Sequence, residues 1–212
     1  MSDFISPIID FLSSIGINFF GSDPVSAGFG LFNAGGIIFM IIGIGLSKML
    51  ADKYGKRNVF GVFLFISTLF ILVFYVLSPD SINLIFGAQI FHGFFYGITI
   101  PLLWAMIADV ADYSEWKNNR RATAIIFSAM MVGLKLGLSI GGALVASILG
   151  SYGYVPNSVG EQTESAILGT KMLVSIFPSI PFLVAAALLF FYIIDKKMEE
   201  KIEQDLLKKR KS

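Results

Sequence analysis

VFGVFLFISTLFILVFYVL, residues Val59–Leu77, runs without a charged residue between a basic corner and the turn Ser78-Pro-Asp-Ser81. A helix of about 20 mostly apolar residues crosses the roughly 30 Å hydrocarbon core of a bilayer, so this stretch reads as a transmembrane helix. The turn closes it, because Pro79 fixes φ and donates no backbone hydrogen bond. Outward from it, four more stretches have the same character: about Val25–Leu50, Ile82–Ala108, Ala122–Leu149 and Ile167–Ile194. All five must be helical, since lipid-exposed backbone has to satisfy its own hydrogen bonds and the runs are too long and unbroken for barrel strands. The expected architecture is an all-α polytopic bundle: five transmembrane helices over residues 25–195, a weak segment over 1–24 and a tail over 196–212.

The composition agrees. Of 212 residues, 55% are hydrophobic and 15% charged, against about 25% charged in soluble domains. A net charge of +1 does not supply the basic surface that a nucleic-acid partner needs. No cysteine and one histidine exclude Cys-based metal sites and the usual His clusters. The spans hold no nucleophile–base pair, metal set or phosphate loop, so neither an enzyme nor a resident cofactor is expected. Met1–Asp3 has no basic residue and no small-residue cleavage site follows the apolar stretch, which does not fit a cleaved signal. Phe4–Phe20 is apolar but short, and Pro7 and Asp10 interrupt it. It fits either a poor sixth span or an interfacial helix.

Orientation follows from the basic residues. Lys48, Lys53, Lys56 and Arg57 follow the first span; Lys117, Arg120 and Arg121 follow the third; the tail holds Lys196, Lys197, Lys201, Lys208, Lys209, Arg210 and Lys211. The alternate loops, Ser78–Ser81 and Gly150–Ala166, hold none. The positive-inside tendency then places the basic loops and the C-terminus in the cytoplasm of a cell carrying this multi-pass protein in its inner or plasma membrane. Two cations fall elsewhere. Lys171 is near the outer end of the last span, where it can snorkel, and Lys135 lies near the middle of the fourth.

A Lys at the bilayer centre costs about 2.5 to 3.5 kcal/mol on insertion scales, so it should face a cavity or an acid. The acids sit in loops, at helix ends and in the tail, apart from Asp10. The company Lys135 needs therefore points outside these spans, to a substrate, another subunit or a further half of the protein. The plain alternative is an internal carbonyl or water. Trp104 stands in Thr99-Ile-Pro-Leu-Leu-Trp-Ala105, where Pro101 permits a bend. Its flat indole suits sugar stacking, and an aromatic-belt role fits the position equally well. His92 and Gln89 share a helix face, with an interhelical hydrogen bond as the favoured role.

Asp109, Asp112, Glu115, Lys117, Arg120 and Arg121 crowd one short loop and form candidate gating pairs, individually weak if exposed; a solvated loop is the alternative. Gly133, Gly137 and Gly141 allow close helix crossing on one face. Pro178 and Pro181 imply a bent last span. Met198, Ile202 and Leu206 repeat at every fourth residue, as in a cytoplasmic amphipathic helix lying on the membrane surface or a neighbouring loop; a solvated basic tail is the simpler alternative.

Pro101-Leu-Leu-Trp-Ala-Met-Ile-Ala-Asp-Val-Ala-Asp-Tyr-Ser-Glu-Trp-Lys117, then Arg120-Arg-Ala-Thr, Phe127-Ser and Lys135-Leu-Gly137, resembles the glycoside-pentoside-hexuronide:cation symporters, melibiose-carrier-like members of the major facilitator superfamily. Gly150-Ser-Tyr-Gly-Tyr-Val-Pro-Asn157 and Ala166-Ile-Leu-Gly169 are similar to the same family. Asp52-Lys-Tyr-Gly-Lys-Arg57 resembles the facilitator inter-helix loop, with Lys48 where a Gly is usual. The resemblance covers about Gly21 to the C-terminus and implies helices eight to twelve of a twelve-helix transporter, about one six-helix half, with helix seven on the weak N-terminal segment. It implies that Lys135 and Trp104 face a sugar, that the carboxylates binding the coupling Na⁺ or H⁺ lie mostly in an N-terminal half, and that the halves rock about a midplane site. The expected partners are a sugar, that half or a partner subunit, and the bilayer. The expected function is the C-terminal part of a secondary-active sugar:cation symporter, inactive alone; the alternative is a membrane scaffold or binding fragment without transport.

Overall fold

The computed structural model describes residues 24–156 and 162–211, and before them only Ser6, Pro7, Asp10 and Ser14. The expected span or interfacial helix at Phe4–Phe20 thus lies outside the described residues. Helix α1 is Pro24–Tyr54, α2 Lys56–Val76, α3 Ile82–Asn118, α4 Thr123–Ser151, α5 Glu164–Val174 and α6 Ile176–Leu188. A 3₁₀ turn at Leu189–Phe191 leads to α7, Lys196–Lys211. No strand occurs among the described residues. α1, α2, α3, α4 and the α5–α6 pair are long and apolar enough to cross a membrane.

The side chains are sorted for lipid rather than water. Ile37, Val62, Leu138 and Phe190 are more than half exposed, whereas Ser67, Thr68, Ser175 and Ser179 are buried. Each hydroxyl returns its hydrogen to a carbonyl of its own helix, as Thr68 does to Leu64 at 2.7 Å and Ser179 to Ser175 at 2.6 Å. Small hydroxyl residues can therefore sit where helices meet without an unpaired donor.

The tightest crossing joins α1 to α3. A Cβ on Gly93 would lie 2.3 Å from the Gly36 carbonyl oxygen, one on Gly97 2.2 Å from that of Met40, and one on Gly43 2.2 Å from that of Phe94. Only a missing side chain lets backbones approach so closely. The Gly133, Gly137 and Gly141 stripe has a different setting: a Cβ at any of them would meet nothing within 4 Å. Helix α4 has no buried residue and is exposed at every position from 131 to 140. The close crossing expected at that stripe is not made within the described residues.

Two helices depart from the sequence reading for local reasons. α3 does not stop near Ala108 but continues as one helix to Asn118, capped by Asn119 in the left-handed conformation at φ 54°. At 1.5 Å per residue it is roughly 55 Å long, well beyond a hydrocarbon core of about 30 Å. Asp109, Asp112, Glu115 and Lys117 therefore stand on a helical stalk, and the loop to α4 is only residues 119–122. The last span breaks at Ser175 (φ −126°, ψ −74°). Pro178 has no N–H for the Val174 carbonyl and its ring crowds that oxygen, so the turn before it gives way. Pro178 then occupies the first turn of α6, where no donor is missed. Pro101, in contrast, is accommodated inside an uninterrupted α3.

Candidate functional site

Lys135 projects from the open helix α4 and is exposed. Among the described residues it has no hydrogen bond or ion pair. Trp104, on α3, is 36% exposed, and its indole N–H has no acceptor among the described residues. No hydrogen bond or cation–ring contact joins the two. Both thus lie on surface left uncovered by the described residues, each with a donor unused among them.

The remaining candidates gather at the end of the bundle where α1 turns into α2. Gly55, at φ +83°, is the whole connection between these helices. That tight corner places Lys56 beside the α3 stalk. Its Nζ donates to Asp109 Oδ1 at 2.7 Å and Oδ2 at 2.8 Å, and lies 2.9 Å from Glu199 Oε1 of α7. The side chains of Lys56 and Asp109 are 23% and 14% exposed. Water therefore screens this pair less than the other one, in which Arg121 approaches Asp112 at 3.0 Å and Glu115 at 3.7 Å with side chains 48%, 37% and 19% exposed. Arg120 joins by its backbone, its carbonyl accepting from Ser114 Oγ at 3.0 Å. The six acids and bases expected to pair are thus split, with Lys117 donating to the Tyr113 hydroxyl at 3.2 Å. Asp112, Glu115 and Arg121 close the α3–α4 corner, while Asp109 turns to Lys56.

Helix α7 lies against this end. Asp195 caps it, Oδ1 accepting from the Met198 amide at 2.9 Å. Ile202 and Leu206 are buried with Ile194 against Val110, Tyr113, Trp116 and Tyr192, and partly buried Met198 packs beside them. The stripe thus packs on the helical stalk of α3, where the sequence suggests a loop. Trp116 Nε1 donates to Asp205 Oδ2 at 3.0 Å. Tyr192 donates to the Met106 carbonyl at 3.2 Å; burial, then the charges of Asp109 and Glu199, push its phenol above the ordinary range and keep it a neutral donor. A cleft of about 360 Å³ between α7 and the α3–α4 corner is lined by Lys56, Asp109, Asp112, Arg121, Glu199 and Glu203, among others. Glu199, Asp205 and Tyr192 escaped sequence reasoning; the apolar stripe of the tail was the available signal.

At the opposite end of α2, Lys171 donates to the Leu77 carbonyl at 3.2 Å and stands 5.7 Å from the Tyr75 ring. A cation at a helix C-terminus meets the negative end of its dipole. His92 Nδ1 lies 3.1 Å from the Ser67 carbonyl of the neighbouring α2, the interhelical contact expected of it.

Residues 11–196 match the family model described as MFS/sugar transport protein. The chain is 30% identical over 164 residues to a putative glycoside/cation symporter of Escherichia coli, covering 77% of this chain and 35% of that protein. It is 30% identical over 176 residues to a glucuronide carrier protein homolog of the same organism, covering 81% and 38%. An uncharacterized 29.9 kDa protein of Pseudescherichia vulneris is 35% identical over 158 residues, covering 74% of this chain and 57% of the relative. The chain thus spans about a third to somewhat over half of the length of these relatives.

Proposed function

The chain belongs to the MFS/sugar transport protein family, and on that premise we propose that it forms the C-terminal wall of a sugar:cation symporter working by alternating access. Such a transporter is a multi-pass membrane protein whose two six-helix halves enclose a site near the midplane. The observation that carries this reading is helix α4: a long apolar helix with no buried residue, whose glycine stripe meets nothing within 4 Å and whose Lys135 has no partner among the described residues. An ammonium left alone in hydrocarbon is costly, and a facing half with a bound sugar would supply both the packing and the polar company. The glycoside and glucuronide named for relatives make a sugar the first substrate class to try.

In this reading Lys135 and Trp104 bind sugar, Lys135 as a hydrogen-bond donor and Trp104 by stacking. The carboxylates that take Na⁺ or H⁺ lie mostly in the facing half. The Asp112, Glu115 and Arg121 corner, with Asp109 and Arg120 beside it, gates the cytoplasmic side, where the positive-inside tendency places the charged end and the C-terminus. The chain alone accumulates no sugar.

Proteoliposomes carrying this chain, with and without the six-helix N-terminal half of a related symporter, test the proposal. Uptake of labelled glycosides, pentosides and hexuronides is measured under imposed Na⁺ and H⁺ gradients. Concentrative uptake is expected only with both parts. Uptake by this chain alone, or no uptake and no sugar binding with any facing half, would refute it.

A further inference from the structure

We propose that α7 is a releasable strap that holds the α1–α2 corner against the α3 stalk, with Lys56 as its catch. The inference does not rest on the transported substrate or on a facing half. Three observations support it.

First, α7 carries its own N-terminal cap. Asp195 caps its first turn by side chain and backbone, with the Glu199 amide donating to the Asp195 carbonyl at 2.9 Å. The helix hangs from the last span by residues 192–195, which are not helical. A capped helix on a short linker can leave its seat without unfolding.

Second, the seat reaches both ends of the strap. At its start, Lys196 donates to the Asp52 carbonyl at 2.6 Å, and a Cβ on Gly55 would lie 3.1 Å from Lys196 Cβ. Near its end, Lys209 donates to Asn119 Oδ1 at the cap of α3. Between them, Ile202 and Leu206 cover Tyr113 and Trp116, and Asp205 holds the indole N–H. One helix therefore touches the turn after α1 and the last turns of α3.

Third, the catch is shared. Lys56 belongs to the corner, Asp109 to the stalk and Glu199 to the strap, and its single ammonium contacts both carboxylates. When α7 leaves, Lys56 keeps Asp109 but loses Glu199, and the Asp52 carbonyl loses Lys196. Beyond the apolar cluster of Ala51, Val59, Ile98 and Leu102 that packs α1 and α2 on α3, the corner is then held to the stalk by one ion pair. Only a few aliphatic side chains are buried under α7, whereas α1 and α3 interlock at glycines along the span. The strap is the part of this end that can open by itself.

The full chain in lipid nanodiscs tests this. With Trp104→Phe, Trp116 is the remaining indole and reports docking by its emission and acrylamide quenching. Amide hydrogen exchange over residues 52–59 reports the corner. Leu206→Asp is expected to red-shift Trp116, increase its quenching and speed corner exchange about tenfold, while Glu199→Gln leaves Trp116 protected and speeds corner exchange about threefold. Exposure of Trp116 without faster corner exchange would overturn the proposal, as would an unchanged corner in Glu199→Gln. Should Leu206→Asp not fold, an Asp52→Cys, Lys196→Cys pair in the otherwise cysteine-free chain is joined by a short bifunctional reagent. The tether must restore slow corner exchange to Glu199→Gln; if it does not, the strap is refuted.

Discussion

A Cβ on Gly93 would stand 2.3 Å from the carbonyl oxygen of Gly36, so the α1–α3 crossing is closed to any side chain at that point. Backbone lies on both sides, leaving no flexible atom to move aside. Gly93→Ala and Gly97→Ala should each destabilise the bundle by about 1 to 3 kcal/mol, the usual range for overpacking a tight interface. Gly137→Ala in this chain alone should be neutral or stabilise by about 0.5 to 1 kcal/mol, since alanine suits a helix interior better and nothing stands within 4 Å. Unfolding titrations in mixed micelles compare the three; an equal loss at Gly137 would show that α4 is packed in the isolated chain after all.

Lys135 is exposed and unpaired among the described residues, so its removal should not harm the fold of this chain. Lys135→Leu is expected to leave the unfolding midpoint unchanged or slightly raised. In the assembled carrier the same change should weaken sugar binding at least about tenfold, roughly 1.4 kcal/mol, with Lys135→Arg in between. Equilibrium binding by the two-part transporter is the measurement, and undiminished affinity in Lys135→Leu would remove this residue from the site.

Trp104 presents its indole at 36% exposure. In a Trp116→Phe background of the assembled carrier, added sugar should shield Trp104 from acrylamide. Trp104→Ala should cost about 1 kcal/mol or more in sugar affinity, and Trp104→Phe less, because the ring face is retained. Quenching that is indifferent to every bound sugar would assign Trp104 to the lipid interface.

The two ion-pair groups at the charged end should behave differently. Asp112→Asn breaks a pair whose side chains are 37% and 48% exposed, so its effect on folding should stay below about 1 kcal/mol. Lys56→Met leaves Asp109, 14% exposed, without its cation. That should cost about 1 to 3 kcal/mol, because a partly buried carboxylate loses its hydrogen bonds. Adding Asp109→Asn to Lys56→Met should restore part of the loss. A double-mutant cycle with no coupling between positions 56 and 109 would contradict the geometry.

Orientation can be read directly in a chain that contains no cysteine. Cysteines introduced at Ser81 and at Lys53 should react with membrane-impermeant maleimide from opposite sides, Ser81→Cys from outside intact cells and Lys53→Cys only after permeabilisation. The reverse pattern would invert the topology.

The membrane character and helical class were legible because lipid imposes a condition on each segment separately. A stretch such as Val59–Leu77 needs only its own length and composition to be read as a span. The motif from Pro101 to Lys117 likewise carries its family resemblance in consecutive residues. Pro178 announced a disturbance but not its place, since the backbone yields at Ser175 in the turn before the ring. The glycines show the limit most plainly. Gly133, Gly137 and Gly141 share the same small-residue spacing as Gly93 and Gly97, yet only the second set meets a neighbouring backbone within the described chain.

The sequence by itself determined five apolar segments, their helical conformation, the asymmetry of the basic residues and an amphipathic tail, all properties of neighbours along the chain. Only the tertiary structure decided that Lys56 would serve Asp109 and Glu199 together, that the tail would seat on Trp116, and that α4 would keep an open face. Those outcomes depend on which surfaces meet across 53 to 143 residues of separation. Lipid is indifferent to the choice among apolar faces, so shape and the few available charges settle it.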